Sequence, residues 1–173
     1  MRLAVSSDID RDDRERDETV YTVYATDTDC VGTQEPMRER WVNLAEQEDP
    51  LPFTREQVRR AVADYASASC VDDTVLIASE LVTNALRHTD SGPDCLAVDV
   101  YQDVVVVWVH DAGSDVDGVR ACAERSGDLL AESGRGLLLV EALAARWYVQ
   151  PTAIGKAVVA VVGLDDAPAV SAG

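Results

Sequence analysis

Glu80, Asn84 and His88 recur every four residues in the stretch Glu80-Leu81-Val82-Thr83-Asn84-Ala85-Leu86-Arg87-His88. On a helix that spacing sets all three on one face. A carboxylate, an amide and an imidazole in a row, bordered by Leu81 and Ala85, make a cation site with a base beside it. Mg²⁺ takes few ligands from protein and completes its shell with phosphate oxygens and water, so one Asn and a triphosphate suffice. The same row also fits the solvated face of an ordinary amphipathic helix.

Two further clusters carry chemistry. Asp111-Ala112-Gly113 follows a valine-rich run. A carboxylate at a strand end can accept a hydrogen bond from an exocyclic amine such as that of adenine, and the neighbouring glycine lets a flat base approach the backbone. An Asp-Gly turn that merely ends a strand is the alternative. Gly134-Arg135-Gly136-Leu137 stands at a helix start. Free N–H groups and the helix dipole favour phosphate there, and Arg135 adds a fork of donors; a flexible loop entering a helix is the alternative. The usual phosphate-loop pattern is absent, since Lys156 has a single nearby glycine before it and no hydroxyl after it. A dinucleotide-binding turn fails as well, because the glycine pair follows a polar stretch rather than a strand.

The composition limits what such clusters can serve. The chain has 173 residues, with 32 acidic and 15 basic side chains and a net charge of -17. That charge repels nucleic acid, whose binding depends on neutralising phosphates, and it disfavours an anionic membrane surface. Aromatics make up 5% of residues, too few for a base-stacking platform. The longest apolar runs, residues 104–109 and 157–162, fall well short of the ~18 residues that a membrane span requires. The first residues turn acidic before a signal-peptide apolar region can form, so a cytoplasmic location is expected. Cys30, Cys70, Cys95 and Cys122 are widely spaced and read as reduced thiols used as small hydrophobes.

The length suits one domain, and the elements that must position the clusters lie in its larger part. Residues 1–49 read as an acidic extension, disordered around residues 9–18, with a short strand at residues 20–24 and a helix over residues 34–48 carrying Met37, Trp41 and Leu44. Thr54 looks like an N-cap with Gln57 three residues on, followed by Val58, Ala61, Val62 and Tyr65 at helical spacing. Val71-Asp72-Asp73 opens a second helix whose buried stripe is Val75, Leu76, Ser79, Val82 and Leu86. Strands are expected at residues 96–101 and 104–110, a helix at residues 137–145, and a final hairpin at residues 147–150 and 156–162, before a loose tail from residue 164. Grouped helices and strands of this kind favour an α+β two-layer sandwich, with helices on one face of a mixed, mostly antiparallel sheet. The domain is expected over residues 50–163.

The three clusters, in this order and placement, resemble the ATP-binding domain shared by histidine kinases, DNA gyrase and the MutL repair proteins. Within that superfamily the likeness is nearest to the small bacterial anti-sigma-factor serine kinases. The stretch from Glu80 through Asn84 to His88 resembles the N box, Asp111-Ala112-Gly113 the first glycine box, and Gly134-Arg135-Gly136-Leu137 the second. Residues 114–133 fall where the ATP lid lies, and the resemblance covers roughly residues 51–162.

The resemblance implies roles. Asn84 would ligate Mg²⁺, and Glu80 would be the general base toward an attacking hydroxyl or water. Asp111 would hold the adenine amine, with Gly113 allowing close approach, and Gly134, Arg135, Gly136 and Leu137 would line the phosphates. The chain departs from the family pattern at Asp115 and Leu138, where further glycines often stand, and at Ala157, where a hydroxyl often does. Two functions follow as expectations. One is an anti-sigma-type serine/threonine kinase in transcription regulation, which binds a sigma factor and phosphorylates an antagonist protein. The other is a non-catalytic module whose ATP state controls partner binding. A homodimer is also implied.

Overall fold

The computed structural model describes residues 35–113, 115 and 135–164. The expected strand at residues 20–24, the acidic stretch before it, Gly134, the tail beyond Leu164, and all of the lid except Asp115 lie outside the described residues.

The first described element is a strand, β1 (Arg38–Asn43), where the sequence suggested a helix. Met37, Arg38 and Glu39 suit a helix locally, but backbone pairing decides the outcome. β1 lies antiparallel along β2 (Pro93–Val100), from Arg38 opposite Val100 to Asn43 opposite Cys95. Its side chains therefore alternate between the two faces. Arg40 reaches Gln57 on the helical side, Nε donating to Oε1 at 2.6 Å, while Trp41 packs on the other side. β1 is an edge strand of the described sheet, and its charged side chains are of the kind that discourage edge-to-edge pairing.

Helix α1 (Pro50–Val62) starts four residues before the expected Thr54 cap. Asp49 is the N-cap, and Pro50 stands where a missing N–H is harmless and a fixed φ is already helical. Thr54 is buried inside the helix instead. Helix α2 (Ala68–His88) also begins earlier than expected, with the Ser67 hydroxyl accepting from the Cys70 N–H at 3.2 Å. Its buried face runs through Ile77, Ala78, Leu81 and Ala85 as well as Val75, Ser79 and Val82, whereas Leu76 and Leu86 are exposed. The helix ends at Thr89, and Gly92, with φ of 70°, turns the chain into β2.

β2 and β3 (Val104–Asp111) form a hairpin; α3 (Arg135–Leu143) then precedes a second hairpin of β4 (Arg146–Thr152) and β5 (Gly155–Gly163). The strand order is β1-β2-β3-β5-β4, and every neighbouring pair is antiparallel, so the described sheet has no mixed character. The α+β architecture with helices on one face is otherwise as the sequence suggested. Val58, Val62, Ile77, Leu81, Val98, Val107 and Val140 form the core between sheet and helices. The opposite face carries a second buried cluster of Cys95, Ala97, Val106, Trp108, Val159 and Val161. Burial on both faces explains why β3 is nearly continuous valine rather than alternating.

One consequence of the topology bears on the site. Because β5 runs antiparallel beside β3, the end of β3 meets the beginning of β5, with Asp111 directly opposite Lys156.

Candidate functional site

Helix α2 presents Glu80 and Asn84 half-buried and one turn apart, while His88 is exposed at its last turn. Glu80 makes no hydrogen bond or ion pair among the described residues. The Asn84 amide nitrogen is buried without a partner among the described residues. A half-turn of the amide exchanges that orphan donor for an acceptor oxygen, so the residue carries a spare polar atom of either kind.

The start of α3 closes on these two side chains. A Cβ added to Gly136 would lie 2.5 Å from Glu80 Oε2 and 3.7 Å from Asn84 Oδ1. The glycine lets the Glu80 carboxylate lie close against the backbone. It also brings the N-terminus of α3, with its free N–H groups and positive dipole end, beside a carboxylate and an amide. Arg135 is the first residue of this helix, and Leu137 is buried in the core with Val140. The Leu137 side chain is thus a packing group that fixes the helix start, and only its backbone is available to a ligand.

The second half of the site lies at the β3 and β5 ends. Asp111 and Lys156 form a buried ion pair, Nζ donating to Oδ1 at 2.6 Å with the side chains 3% and 5% exposed. The Gly113 N–H donates to the same Oδ1 at 2.9 Å, and Lys156 Nζ also donates to the Gly113 carbonyl at 3.2 Å. Both donors fall on Oδ1, which leaves Oδ2 for a third. A Cβ on Gly113 would meet Lys156 Nζ, the Thr89 methyl group and Asp111 Oδ1, each within 2.9 Å. Gly155 is equally constrained, since a Cβ there would overlap the Asp111 carbonyl and Ala112.

Helix α2 joins the two halves. At 1.5 Å per residue, about 13 Å of helix separates Glu80 from Thr89. One end carries an amide, a carboxylate and a helix N-terminus; the other carries a buried carboxylate paired with an ammonium. A polyphosphate with a polar ring at one end fits that layout.

His110 anchors the sheet next to Asp111. Its Nδ1 lies 2.9 Å from Asp94 Oδ2 and its Nε2 2.9 Å from Thr152 Oγ1, so it ties β2, β3 and β4 together at this end. On the other face Asp99 is pushed up to about 7, by burial first and by Glu39 opposite it second, with a hydrogen bond from Trp108 opposing the shift.

Among the expected site residues, Glu80, Asn84 and Gly136 come together, as do Asp111 and Gly113; His88 stands apart. Sequence reasoning missed Lys156 and Thr89 as parts of the site. The one available signal was that Lys156 is the sole lysine beside fourteen arginines.

The donors present fit a nucleotide with a divalent cation. Among the described residues Asn84 has an unspent polar atom, Glu80 a carboxylate without a partner, and Asp111 an oxygen that neither Lys156 nor Gly113 uses, while the Gly136 backbone lies close against Glu80. No group of three or more His, Cys, Asp or Glu among the described residues could hold a metal ion. A cation at Asn84 would thus draw its other ligands from phosphate and water. None of the described helices is long and apolar enough to cross a membrane. Residues 50–162 match the family model of the histidine kinase-like ATPase domain. No curated protein matches the chain.

Proposed function

The chain belongs to the histidine kinase-like ATPase domain family, and on that premise we propose that it is an ATP- and Mg²⁺-binding regulator acting as an anti-sigma-type serine/threonine kinase. In this reading it binds a sigma factor, as a homodimer, and phosphorylates the antagonist protein that would otherwise release that factor.

Each residue has a part. Asp111 accepts from the adenine amine through its free oxygen, and Gly113 gives the base access. The α3 N-terminus at Arg135 and Gly136 faces the phosphates. Asn84 holds Mg²⁺, which when bound neutralises phosphate charge. Glu80 takes the proton of an incoming serine or threonine hydroxyl as that oxygen bonds to the terminal phosphorus. The bond to the bridging oxygen breaks, and ADP leaves with the electron pair. The observation that carries the reading is the Glu80 carboxylate, without a partner among the described residues, held against Gly136 beside Asn84. A base for this step must be unencumbered and near the phosphate-facing helix start.

The second reading is a module whose nucleotide state controls partner binding without phosphotransfer. Asp115, Leu138 and Ala157 favour it, because they replace small or hydroxyl residues that often face the nucleotide in the family. Radiolabelled phosphate transfer with parent and Glu80→Gln proteins separates the two. Kinase action expects labelling of a serine or threonine on the antagonist, lowered ~10²–10⁴-fold in Glu80→Gln while ATP binding survives. A parent protein that binds ATP and labels no partner supports the module instead.

A further inference from the structure

Among the described residues the Lys156 ammonium is a buried donor with one N–H to spare. An ammonium has three N–H groups. Two are used, toward Asp111 Oδ1 at 2.6 Å and the Gly113 carbonyl at 3.2 Å, and among the described residues the third has no acceptor. The side chain is only 5% exposed. A buried donor left unmatched is unfavourable, so an acceptor there would be held firmly.

The position of that donor is informative. A Cβ on Gly113 would lie 2.8 Å from Lys156 Nζ and 2.9 Å from Asp111 Oδ1. Ammonium and carboxylate thus lie side by side against the Gly113 backbone. The site presents a donor directly beside an acceptor, and adenine carries the complement on one edge: the exocyclic amine beside ring nitrogen N1.

We propose that Lys156 is a second reader of the purine, donating its free N–H to adenine N1 while Asp111 accepts from the neighbouring amine. This rests on the reading of Asp111 as the adenine acceptor. It gives the ion pair a use beyond holding strand ends together. Guanine in the same pose turns its O6 carbonyl toward the carboxylate and its N1–H toward the ammonium, so both contacts become mismatches. Selectivity for ATP over GTP then arises from two adjacent atoms rather than one.

The test is calorimetric titration of the full chain with ATP, 1-deaza-ATP and 7-deaza-ATP in the presence of Mg²⁺. A hydrogen bond to a charged group implies that 1-deaza-ATP, which lacks the N1 acceptor, binds weaker than ATP by about tenfold or more. 7-deaza-ATP should bind as ATP does. In Lys156→Met the difference between ATP and 1-deaza-ATP should vanish. Equal binding of ATP and 1-deaza-ATP by the parent protein overturns the inference and leaves ATP binding intact. A difference that persists in Lys156→Met assigns N1 to another group and overturns it as well. Failure of all three nucleotides to bind overturns the proposed function together with this inference. Should Lys156→Met not fold, Lys156→Arg keeps a donor, and the parent ratio of ATP to 1-deaza-ATP decides.

Discussion

Replacing Gly136 with alanine sets two effects against each other. A Cβ at this position would lie 2.5 Å from Glu80 Oε2 and 3.5 Å from its carboxyl carbon. A carbon and an oxygen approach ordinarily to ~3.3–3.6 Å, so the carboxylate must retreat by about 1 Å. That carboxylate is the far end of a flexible side chain that has no partner among the described residues, so the retreat costs the fold little. Gly136 is the second residue of α3, where alanine is the better helix former by up to ~1 kcal/mol. Urea denaturation should therefore find the variant as stable as the parent, or more stable by up to ~1 kcal/mol. Catalysis should move the other way. Misplacing a catalytic group by ~1 Å can lower the rate ~10²-fold, so under the proposed kinase reading single-turnover transfer from γ-labelled ATP should fall by about that factor. Parent-level transfer would refute the idea that Glu80 is positioned by its contact with α3. A large loss of stability would show instead that Gly136 serves packing alone.

Three further outcomes are expected. Asp111→Asn should weaken ATP binding about tenfold or more, since it removes a charged acceptor, and the parent should bind GTP poorly; equal Kd for ATP and GTP would remove Asp111 from base recognition. Lys156→Met leaves the Asp111 carboxylate buried without its counter-charge and should destabilise the fold by ~3–5 kcal/mol in urea titration; a change below about 1 kcal/mol would mean water reaches the pair. Asp99 has its pKa raised from 3.8 to about 7, chiefly by burial and then by Glu39, so the folded chain binds its proton more tightly than the unfolded chain does. Its contribution to stability is complete below about pH 4 and is lost as the pH rises through about 7, a change of up to ~4 kcal/mol. Asp99→Asn should flatten the stability profile across that window, and an unchanged profile would assign the pH dependence elsewhere.

The readable parts of the sequence were those in which spacing alone fixes geometry. Glu80 and Asn84 share a helical face because they are four residues apart, and any helix through them gives that result. The β2–β3 and β4–β5 hairpins were visible because β-branched runs flank short turns. Edge strand β1 was not visible. Arg38, Glu39 and Arg40 hide the alternation, and only pairing with β2 selects strand over helix. Leu76 and Leu86 were assigned to the core because apolar periodicity does not say which of two adjacent stripes meets the sheet; Ile77 and Leu81 do. The Asp111–Lys156 pair depends on the antiparallel register of β3 and β5, the partners being 45 positions apart in the chain. Thr89 reaches Gly113 for a similar reason, through the placement of the α2 terminus against the end of β3. Each of these is long-range information that no local pattern holds.

The central claim is that Asn84, Glu80 and Asp111 belong to one nucleotide site that takes ATP together with Mg²⁺. Titration with a fluorescent adenine nucleotide, with and without Mg²⁺, on parent and Asn84→Ala proteins tests it most directly. Saturable binding that tightens with Mg²⁺ in the parent, and loses that tightening in Asn84→Ala, is the expected result. No saturable binding by the parent up to millimolar nucleotide, or an Mg²⁺ effect undiminished in Asn84→Ala, would contradict it.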